Sequence, residues 1–323
     1  MTDFLGERAF RVKPSGCLRV PALAPVRGTA YLSARQGRRD TRMGDRVQML
    51  GLCRFSYLAE SDGFQTKHGS LEARRAALFA PERLASRFFF LEHLLVPALR
   101  AQTDPDFTLV VLTAEDLPAP ALARLSRVLA PLTQAHIVQR PPGQHRAVCS
   151  EVLKQARDPE ARAVAEFRLD DDDAVAVDFV EQTRAAFEEI AGLWERAGWR
   201  AGLDFCRGFA MAAGDDGIEA TPVLAPWWSP ATVVFLRTGA PRTVMDFAHH
   251  RIWHQMPGLS LQAVPMFLRG FHSANDSSAD LRRTMPVPME PSEIEGLLAE
   301  RFALDLAALQ GAWAAHLAAA GEG

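Results

Sequence analysis

The stretch Ala163-Val-Ala-Glu-Phe-Arg-Leu169, followed directly by Asp170-Asp-Asp-Asp173, decides the fold class of this chain. Its apolar character predicts a buried strand, and four consecutive carboxylates follow the end of that strand. A helix is predicted next, from about Asp178 to Trp194. A strand, an acidic loop and a helix in this order are typical of an α/β sheet, in which ligands bind outside the carboxyl ends of the strands.

Similar units precede this stretch along the chain. Three further strands are predicted at Val47–Phe55, Phe107–Leu112 and Ala135–Gln139. Helices are predicted at Pro81–Arg100, Ala119–Leu129 and from about Arg146 to Ala156, because apolar residues recur there every three or four positions. Strands that alternate with helices predict an α/β fold with a mainly parallel sheet that helices cover on both faces.

The pattern changes after Gly198 and again near the C-terminus. Short β-rich segments are predicted at Gly202–Cys206, Phe209–Ala213 and Thr232–Arg237, and Pro291–Ala320 reads as one or two helices. Residues 1–45 show weak periodicity and a cluster of arginines, which predicts a flexible extension. We therefore expect one domain at 46–290, divided near 197/198 into two halves, and a helical segment at 291–323.

The composition favours a small-molecule ligand. The 323 residues are 48% hydrophobic, and a formal net charge of -3 with a pI near 6.3 gives no electrostatic reason to expect nucleic acid. The four cysteines lack the spacing of a zinc site and fit a reducing compartment. No apolar run approaches the roughly 20 residues of a membrane span. We expect a cytoplasmic protein with no transmembrane segment, which touches a membrane only through its substrate.

The aspartate cluster predicts a metal site. Crowded carboxylates repel each other, and burial adds a desolvation cost, so a divalent cation would resolve the conflict. Mg²⁺ takes oxygen ligands and often shares them with substrate phosphates. Alternate side chains at the end of a strand point to the same side, which pairs Asp170 with Asp172. The alternative is a solvated acidic turn, but the position between a buried strand and a helix favours a site.

Several motifs together resemble one known family. They are Gly51-Leu-Cys-Arg-Phe-Ser-Tyr57, Gly63-Phe-Gln65, Pro97-Ala-Leu-Arg-Ala-Gln-Thr-Asp-Pro-Asp-Phe107, Phe167-Arg-Leu-Asp-Asp-Asp-Asp-Ala174 and Phe271-His-Ser-Ala-Asn275. In this order they resemble the bacterial rhamnosyltransferase family, a group of GT-A-type glycosyltransferases. The resemblance spans roughly Val47 to Ser278 and leaves out both termini.

The resemblance implies a GT-A-like (Rossmann-like) mixed sheet flanked by helices, with a nucleotide-sugar-binding half at 46–197 and an acceptor half at 198–290. It further implies that Mn²⁺ or Mg²⁺ binds Asp170, Asp172 and His272. The nucleotide-sugar is expected to contact Arg54, Arg168, Asp170 and Asp171. After His272 the chain has Ser273-Ala274-Asn275 where related sequences carry Gly-Gly-Asn, which leaves the role of that loop open. Rhamnose is a family label, and no residue selects a deoxyhexose.

Sugar transfer with inversion also needs a general base. The segment Asp246 to His250 supplies the predicted catalytic residues Asp246, His249 and His250. Three other candidate aspartates lie in the same half of the chain. Asp204 remains a further candidate, whereas Asp215-Asp216 lies between two glycines and predicts a hairpin turn. The pair Trp227-Trp228 either stacks on a sugar or packs under a loop, and the sequence does not decide between these roles.

Two other functions compete with the transfer of a sugar to a glycan or lipid-linked acceptor. A haloacid-dehalogenase-like phosphohydrolase also places an aspartate after a strand, and Asp171, Asp173 and Val175 fit its Asp-x-Asp-x-Val pattern. Its motif, however, comes near the start of the fold rather than halfway along. A non-catalytic module that binds a nucleotide-sugar or a glycan is the second alternative.

Overall fold

A computed structural model describes residues 46–60, 70–228, 230–272 and 284–321. The predicted extension at 1–45 and the motif residues 63–65 and 273–275 lie outside the described residues. Within them, two sheets and a set of helices form the fold.

The larger sheet has seven strands, of which six run in one direction and one in the other. In spatial order they are β10 (Gly258–Leu261), β6 (Arg200–Phe205), β9 (Thr232–Leu236), β4 (Ala163–Asp170), β1 (Val47–Arg54), β2 (Thr108–Ala114) and β3 (Ala135–Arg140). Strand β9 is antiparallel to both of its neighbours, whereas β4, β1, β2 and β3 pair in parallel. The predicted α/β fold with a mixed, mainly parallel sheet is confirmed.

The second sheet is smaller and has five strands. Its strands, in spatial order, are β12 (Met285–Pro286), β8 (Gly217–Leu224), β7 (Arg207–Gly214), β11 (Phe267–Phe271) and β5 (Ala174–Val175). Asp215 and Asp216 form the turn between β7 and β8, as predicted. Gly217 has φ +124° there, a backbone conformation that glycine adopts without a steric penalty.

Eight α-helices belong to the described residues. They are α1 (Leu71–Leu78), α2 (Pro81–Phe90), α3 (Val96–Arg100), α4 (Ala119–Leu129), α5 (His145–Gln155), α6 (Phe179–Arg196), α7 (Pro291–Phe302) and α8 (Leu306–Gly321). A π-helical turn at Leu91–Leu95 joins α2 to α3, so the predicted helix at Pro81–Arg100 forms with one wider turn. Pro97 follows that turn, and a proline inside a helix lacks an N–H and crowds the preceding turn, which a π-bulge relieves.

The core lies on both faces of the larger sheet. Along β1, Met49 and Cys53 join the apolar cluster on one face, whereas Leu50 and Leu52 join the cluster on the other. Strands buried on both faces are apolar without alternation, which is why the sequence pattern identified them. The larger cluster includes α2, α6 and both C-terminal helices.

The C-terminal helices pack on this core rather than apart from it. Arg301 of α7 forms an ion pair with Asp178 at 2.6 Å, and Trp313 of α8 donates from Nε1 to the carbonyl of Gly214 at 2.9 Å. The prediction of helices at Pro291–Ala320 is confirmed. None of the helices in the described part of the chain has the length and hydrophobicity that crossing a membrane requires.

Candidate functional site

The candidate site lies where β1 and β4 end. The parallel register places Arg54, the last residue of β1, beside Asp170, the last residue of β4. The chain then turns at residues 171–173 before β5 begins. Within the turn, the backbone N–H of Asp173 donates to the carbonyl of Asp170, and the backbone N–H of Asp170 donates to Oδ2 of Asp173, both at 3.1 Å. These two hydrogen bonds fold the acidic segment back on itself.

Three carboxylates meet in this turn. Asp170, Asp172 and Asp173, here called the carboxylate triad, each offer an oxygen, and these oxygens lie within 4.8 Å of one another. Asp172 and Asp173 are buried, whereas the side chain of Asp170 is 48% exposed. Burial, together with the charges of Asp172 and Asp170, raises the pKa of Asp173 well above its usual range. Clustered hard oxygen donors that repel each other fit Mg²⁺ or Mn²⁺.

Asp173 was not among the predicted metal ligands. Strict alternation along an extended strand would place Asp173 with Asp171, on the side opposite Asp170 and Asp172. The strand instead ends at Asp170, and the turn brings the carboxylate of Asp173 back to the backbone of Asp170. A run of four aspartates with no turn-forming glycine gave no signal of where the strand would stop.

Asp171 has a different environment from the triad. It is buried and forms an ion pair with Arg87 of α2, and its Oδ2 has no hydrogen-bond partner among the described residues. Burial raises the pKa of Asp171 although Arg87 opposes the shift. This ion pair fastens the acidic turn to α2, and the contact of Asp171 with the nucleotide stays a prediction.

His272 is adjacent to the triad and directly follows β11. Its Nε2 lies 3.4 Å from Oδ2 of Asp172, and its ring stacks on Phe90 with centroids 4.4 Å apart. Gly270 allows β11 to come this close, because a Cβ at that position would lie 2.8 Å from the Cβ of Asp172. Of the three predicted metal ligands, the structure thus places Asp172 beside both Asp170 and His272.

A basic group borders Asp170. Arg54 donates to Asp170 at 2.5 Å and to Nε2 of His145 at 3.0 Å. Burial alone would raise the pKa of Asp170, but the charge and hydrogen bond of Arg54 outweigh it and lower that pKa to about 2. Burial and the charge of Arg54 lower the pKa of His145 to about 4, so its imidazole is neutral near pH 7. Sequence reasoning missed His145, whose one signal is its position at the start of α5 after the Pro141-Pro142-Gly143 loop.

Arg168 lies two residues before Asp170 on β4. Burial, with the charge of Arg54, lowers its pKa to about 10, so the guanidinium remains charged at neutral pH. Its Nη2 lies 3.4 Å from Nδ1 of His249, which connects the edge of β4 with a short helix at His249–His254. The structure therefore brings the predicted residues Arg54, Arg168 and His249 to the same sheet edge as Asp170.

The other predicted catalytic residues have structural contacts. Asp246 caps a short helix at Val244–Asp246, accepting from the backbone N–H of Thr243 at 2.8 Å. His250 is exposed and meets the ring of His249 edge-on, with centroids 5.5 Å apart. Asp204 is buried in β6 and accepts hydrogen bonds from Trp227, Thr232 and Ser260. Burial raises the pKa of Asp204 to about 6, although these hydrogen bonds oppose the shift.

Of the two adjacent tryptophans, Trp227 is half-buried and Trp228 is buried. The ring of Trp227 fills the space that side chains at Gly202 and Gly258 would occupy. Trp228 is buried, stacks on Phe271 with centroids 5.6 Å apart, and lies under Arg269 at 4.0 Å. These contacts favour the packing role over a platform for a sugar.

Of the comparisons with known proteins, the match to a family model identifies the family of this chain. Three solved structures resemble the chain: Staphylococcus aureus TarS 1-349 (11% identity, TM-score 0.36), the same fragment in complex with UDP (12%, 0.38), and S. aureus TarS (13%, 0.38). The matches cover 69%, 70% and 70% of this chain but only 60%, 61% and 37% of those chains. No curated protein sequence matches significantly. The family model described as "Putative rhamnosyl transferase" matches residues 48–284. The chain therefore belongs to this rhamnosyl transferase family of glycosyltransferases.

Proposed function

We propose that this protein is a metal-dependent glycosyltransferase that moves a sugar from a nucleotide-sugar donor to a glycan or lipid-linked acceptor. The observation that carries the proposal is the carboxylate triad, whose oxygens converge within 4.8 Å at the carboxyl end of β4 in a member of a glycosyltransferase family. Ligands of open α/β sheets bind at such an edge.

We assign Asp170, Asp172, Asp173 and His272 as the residues that would hold Mn²⁺ or Mg²⁺. A bound divalent ion would neutralise the triad and accept the negative charge that develops on a departing diphosphate. His272 adds a nitrogen donor beside Asp172, and its stacking on Phe90 restricts the orientation of its ring. The choice between the two ions is open, since the oxygen donors suit both.

The basic group supports a phosphate-bearing donor. Arg54 and Arg168 supply two charged guanidinium groups at the sheet edge, and the neutral imidazole of His145 adjoins Arg54. Guanidinium groups match phosphate oxygens in geometry and charge. We propose that Arg54 and Arg168 contact the phosphates, and that their charge keeps the donor oriented toward the triad. The nucleobase and the sugar, rhamnose included, are left to experiment.

His249 is the best placed of the three predicted catalytic residues to act as general base. It contacts Arg168 at the sheet edge, whereas Asp246 is engaged in a helix cap and His250 is farther along the same exposed helix. A histidine within reach of the acceptor hydroxyl could take its proton as the sugar bond forms.

We also place the reaction in the cytoplasm, because the described cysteines, Cys53, Cys149 and Cys206, are free and buried.

Thermal-shift measurements test the proposal. UDP-, GDP- and dTDP-sugars are screened with and without Mn²⁺, and we expect stabilisation by one nucleotide class only when Mn²⁺ is present. The shift should disappear in Asp170→Asn/Asp172→Asn. The matched control is Asp215→Asn/Asp216→Asn, which removes two exposed carboxylates from the β7–β8 turn and should leave the shift unchanged.

Turnover separates the enzyme from a non-catalytic binding module. We expect slow hydrolysis of the same nucleotide-sugar in the presence of Mn²⁺, abolished in the Asp170→Asn/Asp172→Asn variant. Nucleotide binding without any hydrolysis or transfer would favour the module. A nucleotide-dependent shift that persists in this variant would contradict the metal-dependent proposal.

A further inference from the structure

We propose that a cavity at the edge of the larger sheet opposite the carboxylate triad is an accessory binding site for an anionic saccharide. The cavity, here called the Trp199 cavity, is formed by residues 198–200, 236–237, 240–242 and Phe247. The choice of a saccharide as the ligand rests on the proposed glycosyltransferase function. The position, charge and shape of the cavity are independent of the carboxylate triad.

The Trp199 cavity lies at the sheet edge opposite the triad. Strand β9 runs antiparallel to β4, so Leu236 at its end pairs with Val164 at the start of β4, and Arg200 of β6 pairs with Leu236. Asp170 lies at the other end of β4. A strand of this length spans roughly 20–25 Å. A ligand in the cavity therefore cannot share its contacts with a ligand at the triad.

The size of the cavity suits a small ligand or part of a larger one. Its volume is about 410 Å³, which falls within the usual range for small-molecule sites. The wall combines two aromatic side chains, Trp199 and Phe247, with aliphatic residues and arginines. Such a mixed lining can pack against an apolar surface while it fixes the position of a charged group.

The charge of the lining is entirely positive. Three arginines, Arg200, Arg237 and Arg242, contribute to the wall, and no carboxylate is among the described residues that line it. The guanidinium of Arg242 lies 5.7 Å from the ring centroid of Phe247. In a protein with a formal net charge of -3, three arginines in the wall of one cavity form a local site for an anion. Their planar donors match a carboxylate or a phosphate.

Trp199 supplies an aromatic surface beside these arginines. Its side chain is 42% exposed, and its backbone has φ +64°, a left-handed conformation that is uncommon for a bulky residue. The ring rests edge-on against buried Trp194, with centroids 4.9 Å apart, and its backbone N–H donates to the carbonyl of Trp194 at 2.9 Å. These contacts hold the indole at the surface, where its face can pack against the C–H groups of a sugar ring.

One loop connects the cavity with the proposed active site. Arg242 and Phe247 line the cavity, and two residues later His249 contacts Arg168 at the edge that carries Asp170. The loop is anchored by buried Arg157, which donates to the carbonyls of Ala240 and Arg242. A saccharide held in the cavity would therefore be bound by the same loop that carries the proposed base. This arrangement favours an acceptor or product glycan as the occupant over a second donor.

Isothermal titration calorimetry with defined saccharides tests the inference. The charged probes are a hexasaccharide of alternating glucuronic acid and N-acetylglucosamine and a phosphorylated maltohexaose, which separate carboxylate from phosphate recognition. The neutral probe is the N-acetylglucosamine hexamer, and inorganic phosphate tests for simple anion binding. We expect one charged saccharide to bind with one site per chain, at least about tenfold more tightly than the neutral hexamer and than phosphate.

Variants assign the binding to the cavity. We expect Arg237→Ser/Arg242→Ser to lower the affinity for the charged saccharide by about tenfold or more. Trp199→Ala should lower the affinity for both the charged saccharide and the neutral hexamer. Arg127→Ser, which removes an exposed arginine from α4, should have no effect. Asp170→Asn/Asp172→Asn should also leave saccharide binding unchanged, so that failure of the metal site and failure of the cavity are distinguishable. Circular dichroism verifies that each variant is folded.

Several results would overturn the inference. The charged and neutral hexamers could bind with equal affinity, or inorganic phosphate could bind as tightly as the charged saccharide. The affinity for the charged saccharide could be unchanged in Arg237→Ser/Arg242→Ser, or neither charged saccharide could bind at all. Binding lost in Asp170→Asn/Asp172→Asn but kept in the arginine variant would place the saccharide at the triad instead.

Discussion

Gly270 offers the sharpest test of how the second sheet positions the triad. Strand β11 passes directly beside the acidic turn, with Gly270 facing Asp172 and His272 two residues farther along. A methyl group at position 270 would lie 2.8 Å from the Cβ of Asp172, whereas ordinary van der Waals contact begins at 3.4 Å. The backbone oxygen of Asp172 would be nearer still. That oxygen would lie at 2.4 Å, so either the acidic turn or β11 must move by about 1.0 Å.

A movement of this size is large for a metal site. Metal–ligand distances tolerate deviations of only about 0.2 Å, so the same displacement that a packed core would absorb should separate Asp172 and His272 from a shared ion. Overpacking of a core by one methyl group costs about 1–3 kcal/mol, which a domain of this size can survive. We expect Gly270→Ala to remain folded while its affinity for Mn²⁺ falls by about tenfold or more.

Mn²⁺ titration followed by electron paramagnetic resonance measures this effect, since the free ion gives the signal and the bound ion does not. The matched control is Gly239→Ala, which adds the same methyl group where no atom lies within 4 Å. Its Mn²⁺ affinity should equal that of the unaltered protein. An unchanged affinity in folded Gly270→Ala would refute the reasoning, because Asp172 and His272 would then bind no ion or would not depend on β11 for their position.

Three further predictions concern other contacts of the site and the fold. Arg87→Met should lower the free energy of unfolding by about 3–5 kcal/mol in chemical denaturation, because it leaves Asp171 buried without a cation, and Arg87→Met/Asp171→Leu should recover most of that loss; an Arg87→Met variant of full stability would contradict the ion pair's role. Burial raises the pKa of Asp204 from 3.8 to about 6, so the folded protein holds that proton more tightly than the unfolded chain. The contribution of Asp204 to the free energy of unfolding should therefore fall as pH rises from about 4 to 6 and stay constant above pH 6. Asp204→Asn should remove this slope from the pH dependence of urea unfolding, and an unchanged slope in that variant would contradict the prediction. Phe90→Leu removes the ring that stacks on His272 and should weaken Mn²⁺ binding by about tenfold with little loss of nucleotide affinity measured without metal; equal losses of both would indicate general unfolding of the site.

The central strands of the larger sheet could be predicted because they are buried on both faces. Continuous apolar runs such as Phe107–Leu112 stand out against the helical periodicity around them, and the chain connects most of these strands through helices. The acidic end of β4 then follows from the direction of the strands. Parallel strands place their carboxyl ends at one edge, so Arg54 and Asp170 are brought together although 116 positions separate them.

The second sheet could not be predicted in the same way. Two of its strands, Ala174–Val175 and Met285–Pro286, are two residues long, and a pair of residues carries no periodicity. The approach of β11 to Asp172 is a contact between distant segments that depends on the missing side chain at Gly270. The sequence marks a glycine there but gives no sign of the neighbour that requires it.

The same limit explains the site residues that were missed or placed differently. Asp173 joins the triad through a turn that breaks strand alternation, and Asp171 leaves it because Arg87, 84 positions away, neutralises it in the core. The sequence pattern predicts a catalytic Asp246 beside two histidines, but it does not show that this carboxylate caps a short helix. Local pattern identifies which residues carry the chemistry, whereas packing between distant segments decides which of them face the same space.

The central claim is that a divalent ion occupies the carboxylate triad. Anomalous diffraction at the manganese absorption edge, from crystals grown with Mn²⁺ and the nucleotide chosen by the thermal-shift screen, tests it most directly. The account predicts one strong peak within coordination distance of carboxylate oxygens from Asp170, Asp172 and Asp173. A manganese peak bound elsewhere, or nucleotide density at the sheet edge with no peak beside these three carboxylates, would contradict it.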